Sequence, residues 1–137
     1  MKNSAAIDTN FLIDIVLDRD TSKNTLKKLE KAMSVFDTIF VPFHTLVEFI
    51  YVLENIHKRE KIAQLTKNKI IDMVNAICST PQFYIENIDT LLLALTHYEI
   101  LKIGDAIIAA TLSANGIATI LSNDRHFSHI EGITVYS

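Results

Sequence analysis

The sequence predicts an α/β fold: a parallel sheet with helices on both faces, built as a single domain. Three observations lead there. Short apolar runs alternate with longer stretches of helical periodicity along the whole chain. Only three Gly and two Pro interrupt 137 residues, which favours long regular elements over many short strands and turns. Residues 117–121 (IATIL) are apolar throughout, as a strand covered on both faces requires. A chain of 137 residues buries about 68–70% of the surface exposed when unfolded, enough for one core and cramped for two. Residues 1–137 are therefore read as one domain.

Each element follows from local chemistry. Residues 4–8 (SAAID) are too short for a helix and read as a buried strand closed by Asp8. From Thr9 to Val16, FLIDIV behind a Thr/Asn signal predicts a helix of two or three turns. Thr21 or Ser22 caps a second helix, with Leu26, Leu29, Met33 and Phe36 on one stripe and lysines on the other. Residues 39–41 form a second strand, stopped by Pro42. Proline suits the first turn of a helix, and PFHTLVEFIYVLEN continues as one.

A further helix spans 59–78, with Ile62, Leu65, Ile70, Val74 and Ile77 inside. Pro81 breaks the chain, QFYIE makes a third strand, and DTLLLALTHYEIL another helix. Gly104 interrupts the pattern, and Asp105 opens a helix that Asn115-Gly116 ends. IATIL is the fourth strand, SNDRHFSHI a loop with a short helical turn, Gly132 a turn, and ITVY the last strand. Strands that alternate with helices pair in parallel. The result is a three-layer α/β/α domain around a mostly parallel five-stranded sheet.

Composition narrows the function. Apolar residues make up 49% and charged residues 21%, which excludes a disordered chain. The lone Cys78 has no intrachain disulfide partner, which fits a reducing, cytoplasmic setting. No window reaches the roughly 18 apolar residues of a membrane span, and MKNSAAID lacks the apolar core of a signal peptide. The net charge of −3 gives no global pull toward polyanions. Yet ten of the thirteen cations lie between Arg19 and Lys69. They read either as a solvated helix face or as a phosphate-steering rim beside an acidic site.

Four acids are placed where a structural role is strained. Ligands of open α/β sheets bind beyond the carboxyl ends of strands. Asp8 ends the first strand, Asp124 follows the fourth by three residues, and Asp105 opens a helix. Glu48 is the only residue charged at neutral pH in LVEFIYVL, with no Lys or Arg within a helical turn. A carboxylate in apolar surroundings is costly unless paired or bound to a cation. Each acid has a simpler reading too: Asp8 and Asp105 as caps, Asp124 as a turn residue, Glu48 at the edge of its face. Carboxylates drawn close together need protons or a divalent cation between them, and all-oxygen ligands favour Mg²⁺ or Mn²⁺. Such an ion suits phosphodiester hydrolysis by activated water.

These residues carry a resemblance. IDTNFLID (7–14), Glu48 within PFHTLVEFIYVL, GDAIIAATL (104–112) and LSNDRHF (121–127) resemble the four motifs of the PIN-domain ribonucleases, over nearly the whole chain. The small size resembles the VapC-type toxins of toxin–antitoxin pairs. The resemblance implies Mg²⁺- or Mn²⁺-dependent endoribonuclease activity, with Asp8, Glu48, Asp105 and Asp124 as the catalytic, metal-binding quartet. It places Thr9, Asn10, Ser122 and Arg125 near the metal or the RNA, Ser122 standing where the family has a small hydroxyl residue. It implies an RNA substrate, a cognate antitoxin and a homodimer, in the cytoplasm.

Other polar and aromatic residues read as structure first. His44 and His97 are histidines on half-apolar helices; His126, beside Arg125, either touches phosphate or decorates a loop. Phe127 plugs the core, the 91–95 run is core, and Tyr51 and Tyr98 are candidates for a dimer face. Two rival functions remain. One is a non-catalytic RNA- or protein-binding module of the same fold. The other is phosphoryl transfer through an aspartyl phosphate on Asp8, which fits poorly because the position of its usual second acid holds Asn10.

Overall fold

The computed structural model describes residues 3–17, 19–60, 65–123 and 125–136. The chain falls into two compact units, residues 1–86 and 87–137.

The first unit runs β1 (Ser4–Ala6), α1 (Thr9–Val16), α2 (Ser22–Val35), β2 (Thr38–Val41), α3 (Phe43–Glu60), α4 (Lys67–Cys78) and β3 (Phe83–Ile85). Its strands pair in parallel in the order β1-β2-β3, with Ala6, Phe40 and Tyr84 in one row across the sheet. Each crossover is a helix pair, as parallel neighbours require. Phe40 and Tyr84 stack at a ring-centroid distance of 5.7 Å. The core gathers Leu12 and Ile13 of α1, Ile39 and Val41 of β2, Leu46, Phe49, Ile50 and Leu53 of α3, and Ile70 and Val74 of α4. Cys78, the last residue of α4, is half-buried, and burial pushes its thiol pKa up.

Polar ties hold α2, which has no buried residue. At its start, the hydroxyls of Thr21 and Thr25 donate to the Asp14 carboxylate, and Ser22 Oγ donates to the Asp14 carbonyl at 2.6 Å. These hydroxyls, Thr21 first, hold the Asp14 carboxyl below its ordinary value, with a smaller coulombic pull from Arg19 and Lys28. At its end, Gln82 Nε2 donates to the carbonyls of Met33 at 2.6 Å and Phe36 at 2.7 Å. Asn3 Nδ2 donates to Val35 O at 3.3 Å. Asn3 and Gln82 both adopt positive φ, 53° and 75°, so these amides reach α2 from strained backbone.

The second unit runs α5 (Ile88–Tyr98), α6 (Ile103–Ala114), β4 (Thr119–Leu121), a 3-10 turn at Arg125–His129 and β5 (Thr134–Tyr136). β4 and β5 pair in parallel, Leu121 opposite Tyr136. Leu91, Ala94, Leu95 and Tyr98 of α5 and Ile103, Ala106, Ala109 and Ala110 of α6 are buried. Small residues along α6 let it pack closely against α5, and Phe127 plugs the core as expected.

The α/β class and all five parallel strands stand as the sequence predicts, with differences in detail. The described strands pair as β1-β2-β3 in the first unit and as β4-β5 in the second. The helix expected over 59–78 is two elements. Glu60 still belongs to α3, and Thr66 starts α4 by accepting the Lys69 N–H on its side-chain oxygen at 3.2 Å. Ile62 lies outside the described residues. Gly104 does not interrupt α6 but lies in its first turn, because the helix already begins at Ile103. Leu26 and Leu92 are exposed rather than inside, and Leu121 is 78% exposed, so β4 is not covered on both faces. Tyr98 is fully buried and so offers nothing to a dimer face, whereas Tyr51 is exposed. Among the described residues no helix is long and apolar enough to cross a membrane.

Candidate active site

In the first unit the site grows out of the carboxyl end of the sheet. The Ile7 N–H donates to Phe40 O at 3.0 Å, carrying the chain past β1 along β2. Asp8 then turns it into α1: in extended conformation it is the N-cap, and its Oδ1 accepts the Phe11 N–H at 2.9 Å. The cap occupies one carboxylate oxygen and leaves the exposed side chain a second with which to meet a ligand. The capping role and a ligand role are thus compatible.

Thr9 opens α1 and reaches α3. Its Oγ1 stands 3.3 Å from Glu48 Oε1 and 3.4 Å from Thr45 O. Thr45, the buried polar residue of this region, donates its own hydroxyl to Ile7 O at 3.4 Å. α3 is aimed by its start: Pro42 O accepts from Thr45 N–H at 3.0 Å, and Glu86 Oε1 accepts the Phe43 N–H at 3.0 Å. Hydroxyls of both helices therefore tie the end of β1 to the helix that follows β2.

Glu48 is not an acid isolated in an apolar face. Its side chain is 50% exposed, and His44, one turn earlier and 83% exposed, brings Nε2 to 3.2 Å from Oε1. The contact is a hydrogen bond when the imidazole is neutral and an ion pair when it is protonated. One carboxylate oxygen thus meets an imidazole and a hydroxyl. Asn10 is exposed on the first turn of α1.

In the second unit Asp105 is the third residue of α6, whose N-cap is Lys102 in extended conformation. An acid in the first turn meets the positive end of the helix dipole. Its side chain is 26% exposed, and its Oδ2 stands 3.8 Å from Nδ1 of His126 in the 3-10 turn. The α6 start and the segment after β4 therefore meet. Ser122 extends the β4–β5 ladder, its N–H donating to Tyr136 O at 3.2 Å. Ser122, Asn123, Arg125 and Ser128 line an open polar cleft of about 590 Å³. Asp124 lies outside the described residues.

In the first unit the carboxylates of Asp8 and Glu48 and the Thr9 hydroxyl are all oxygen donors, the kind a hard cation takes, and in the second unit Asp105 is another. Among the described residues no three His, Cys, Asp or Glu side chains form a group that could hold a metal ion. The structure joins Thr9 to Glu48 and Asp105 to the turn that carries Arg125 and His126.

Three partners of these residues, two in the first unit and one in the second, escape the motif reading. His44 carries a signal in its spacing, four residues before Glu48 and so on the same helical face. Thr45 and the His126–Asp105 contact join residues far apart in sequence, and no local pattern announces them.

The PIN domain family matches residues 5–133. No curated protein matches significantly. Two solved structures are similar: a chain of a toxin–antitoxin complex from Klebsiella pneumoniae, 21% identical with a TM-score of 0.37, covering 95% of each chain; and VapC20 of Mycobacterium tuberculosis, described as a sarcin-ricin loop cleaving toxin, 18% identical with a TM-score of 0.41, covering 90% of this chain and 92% of the other. Because the family match runs through both compact units, from the second residue of β1 to the threshold of β5, the chain belongs to the PIN domain family.

Proposed function

We propose that this chain is a metal-dependent endoribonuclease, the toxin of a toxin–antitoxin pair. The observation that carries the reading is the contact of Glu48 with the hydroxyl of Thr9, the residue next to Asp8 at the carboxyl end of β1. Membership of the PIN family and the acid in the first turn of α6 support it. The residues that would hold Mg²⁺ or Mn²⁺ are Asp8, Glu48, Asp105 and Asp124. When bound, such an ion acidifies water and neutralises charge developing on phosphate.

The chain's own residues do the rest. Asp8, braced by its cap, presents its second oxygen at a set place. Thr9 and His44 hold one oxygen of Glu48. Ser122 and Arg125 offer a hydroxyl and a cation to RNA phosphate. Cleavage leaves a 5′-phosphate and a 3′-hydroxyl and needs no side-chain nucleophile. A cognate antitoxin and a second copy of the chain are the partners this reading expects, in the cytoplasm.

The test is cleavage of structured RNA by the purified chain in Mn²⁺ or Mg²⁺, in EDTA, and with Asp8→Asn. Asparagine keeps the helix cap, so the fold persists while a ligand charge is lost. Cleavage that needs the ion and disappears in the variant supports the reading. Binding without cleavage in every metal condition overturns it in favour of a binding module, and phosphomonoester hydrolysis with labelling of Asp8 overturns it in favour of phosphoryl transfer.

A further inference from the structure

Helix α2 carries Lys23, Lys27, Lys28 and Lys31 against a single acid, Glu30, in a chain whose net charge is −3. It contains no buried residue. Among the described residues none of the four lysines forms a salt bridge. Lys23, Lys27 and Lys31 recur every four residues and follow one ridge, where like charges repel and weaken the helix. Helix stability therefore gives no reason for the ridge.

Lys28 is turned about 100° from Lys27. It lines a cavity of about 310 Å³ together with Asp8, Phe11, Ala5 and Ile39. One cavity thus holds both a candidate metal-binding carboxylate and a lysine that flanks the ridge. Along the ridge, four residues advance about 6 Å, close to the spacing of consecutive phosphates in an extended nucleic-acid strand. Lysine is a point charge suited to phosphate.

We propose that α2 is the surface that holds the sugar–phosphate backbone of single-stranded RNA and leads it to Asp8. Lys28 takes the phosphate at the cavity, and Lys23, Lys27 and Lys31 take those outside it. The inference builds on the ribonuclease reading, but its test measures binding alone.

The full chain carrying Asp8→Asn, in EDTA, is titrated against a short fluorescein-labelled single-stranded RNA by fluorescence anisotropy from about 50 to 200 mM KCl. Each lost phosphate contact lowers the slope of log K against log salt by about 0.7 for a single strand. Adding Lys23→Ala, Lys27→Ala and Lys31→Ala lowers it by about 2, and Lys28→Ala by about 0.7 more. Alanine favours helix, so circular dichroism stays unchanged. A control with the same charge loss, Lys58→Ala, Arg59→Ala and Lys69→Ala, leaves the slope near its starting value. The proposal is overturned by an unchanged slope in the α2 variants, by an equal fall in the control, or by no RNA binding at the lowest salt. It is also overturned if the α2 variants lose affinity for polyglutamate but keep it for RNA. RNA binding that needs α2 in a chain that never cleaves sinks the nuclease reading and leaves this one standing; cleavage with a salt slope indifferent to α2 does the reverse.

Discussion

Thr9 and Glu48, 39 positions apart in sequence, meet through the Thr9 hydroxyl at 3.3 Å. The contact joins the residue after the β1 acid to the acid of α3. Replacing Thr9 by Val keeps shape and removes the hydroxyl. Activity is expected to fall about 10- to 100-fold, the usual effect of losing a residue that orients a metal ligand. Stability should change by only about 1 kcal/mol, and Thr9→Ser should recover most of the rate. Steady-state cleavage and urea melts read the two effects separately; equal rates for Val and Ser at position 9 would rule out the orienting role.

Asp14 predicts an acid-side stability change. Its folded pKa is depressed, first by the Thr21 hydroxyl and then by that of Thr25. The unfolded chain therefore binds this proton more readily than the native one. The stabilisation is complete above the unfolded value, near pH 4, and disappears as pH falls through the folded value. Urea midpoints of the native chain and Asp14→Asn should differ at pH 6 and converge below pH 4. A constant gap across that range would contradict the assignment.

Gln82 pairs backbone strain with two hydrogen bonds. Gln82→Ala keeps the left-handed φ of 75° and loses both amide contacts to α2, so a loss of about 1–3 kcal/mol is expected. Gln82→Gly loses the same contacts but relieves the strain, and should be the milder of the two. Chemical denaturation gives the order; a more stable Ala variant would show that the backbone strain is not felt.

Gly104 lies in the first turn of α6, and a Cβ there would meet nothing within 4 Å. Gly104→Ala should stabilise the chain by about 0.5–1 kcal/mol through helix propensity. Thermal melts measure this directly, and a destabilised variant would indicate that the backbone at 104 needs the freedom of glycine.

The helix at 9–16 was legible because a capping acid and a steady apolar pattern agree on both its ends. The position of the break between α3 and α4 was not: it is expected before residue 59 but α3 runs on to Glu60, and apolar residues keep helical spacing through Leu65 while Thr66 acts as a cap. Periodicity alone cannot see a capping oxygen. β4 misled for a different reason: apolar composition speaks to what a strand could bury, and Leu121 is exposed all the same. The acids were legible because they stand at element ends. Their partners were less so. His44 lies on the same helical face as Glu48, yet a lone histidine on such a helix reads first as structure; Thr45, whose hydroxyl reaches Ile7, depends on a tertiary contact.

Because α2 is fastened at its two ends by polar groups rather than anchored along its length by apolar side chains, its middle turns are where the native state should breathe first. In deuterium-labelling mass spectrometry, amides near Lys27 would then take up label well before those of α3 around Phe49, whose side chain is sealed in the interior.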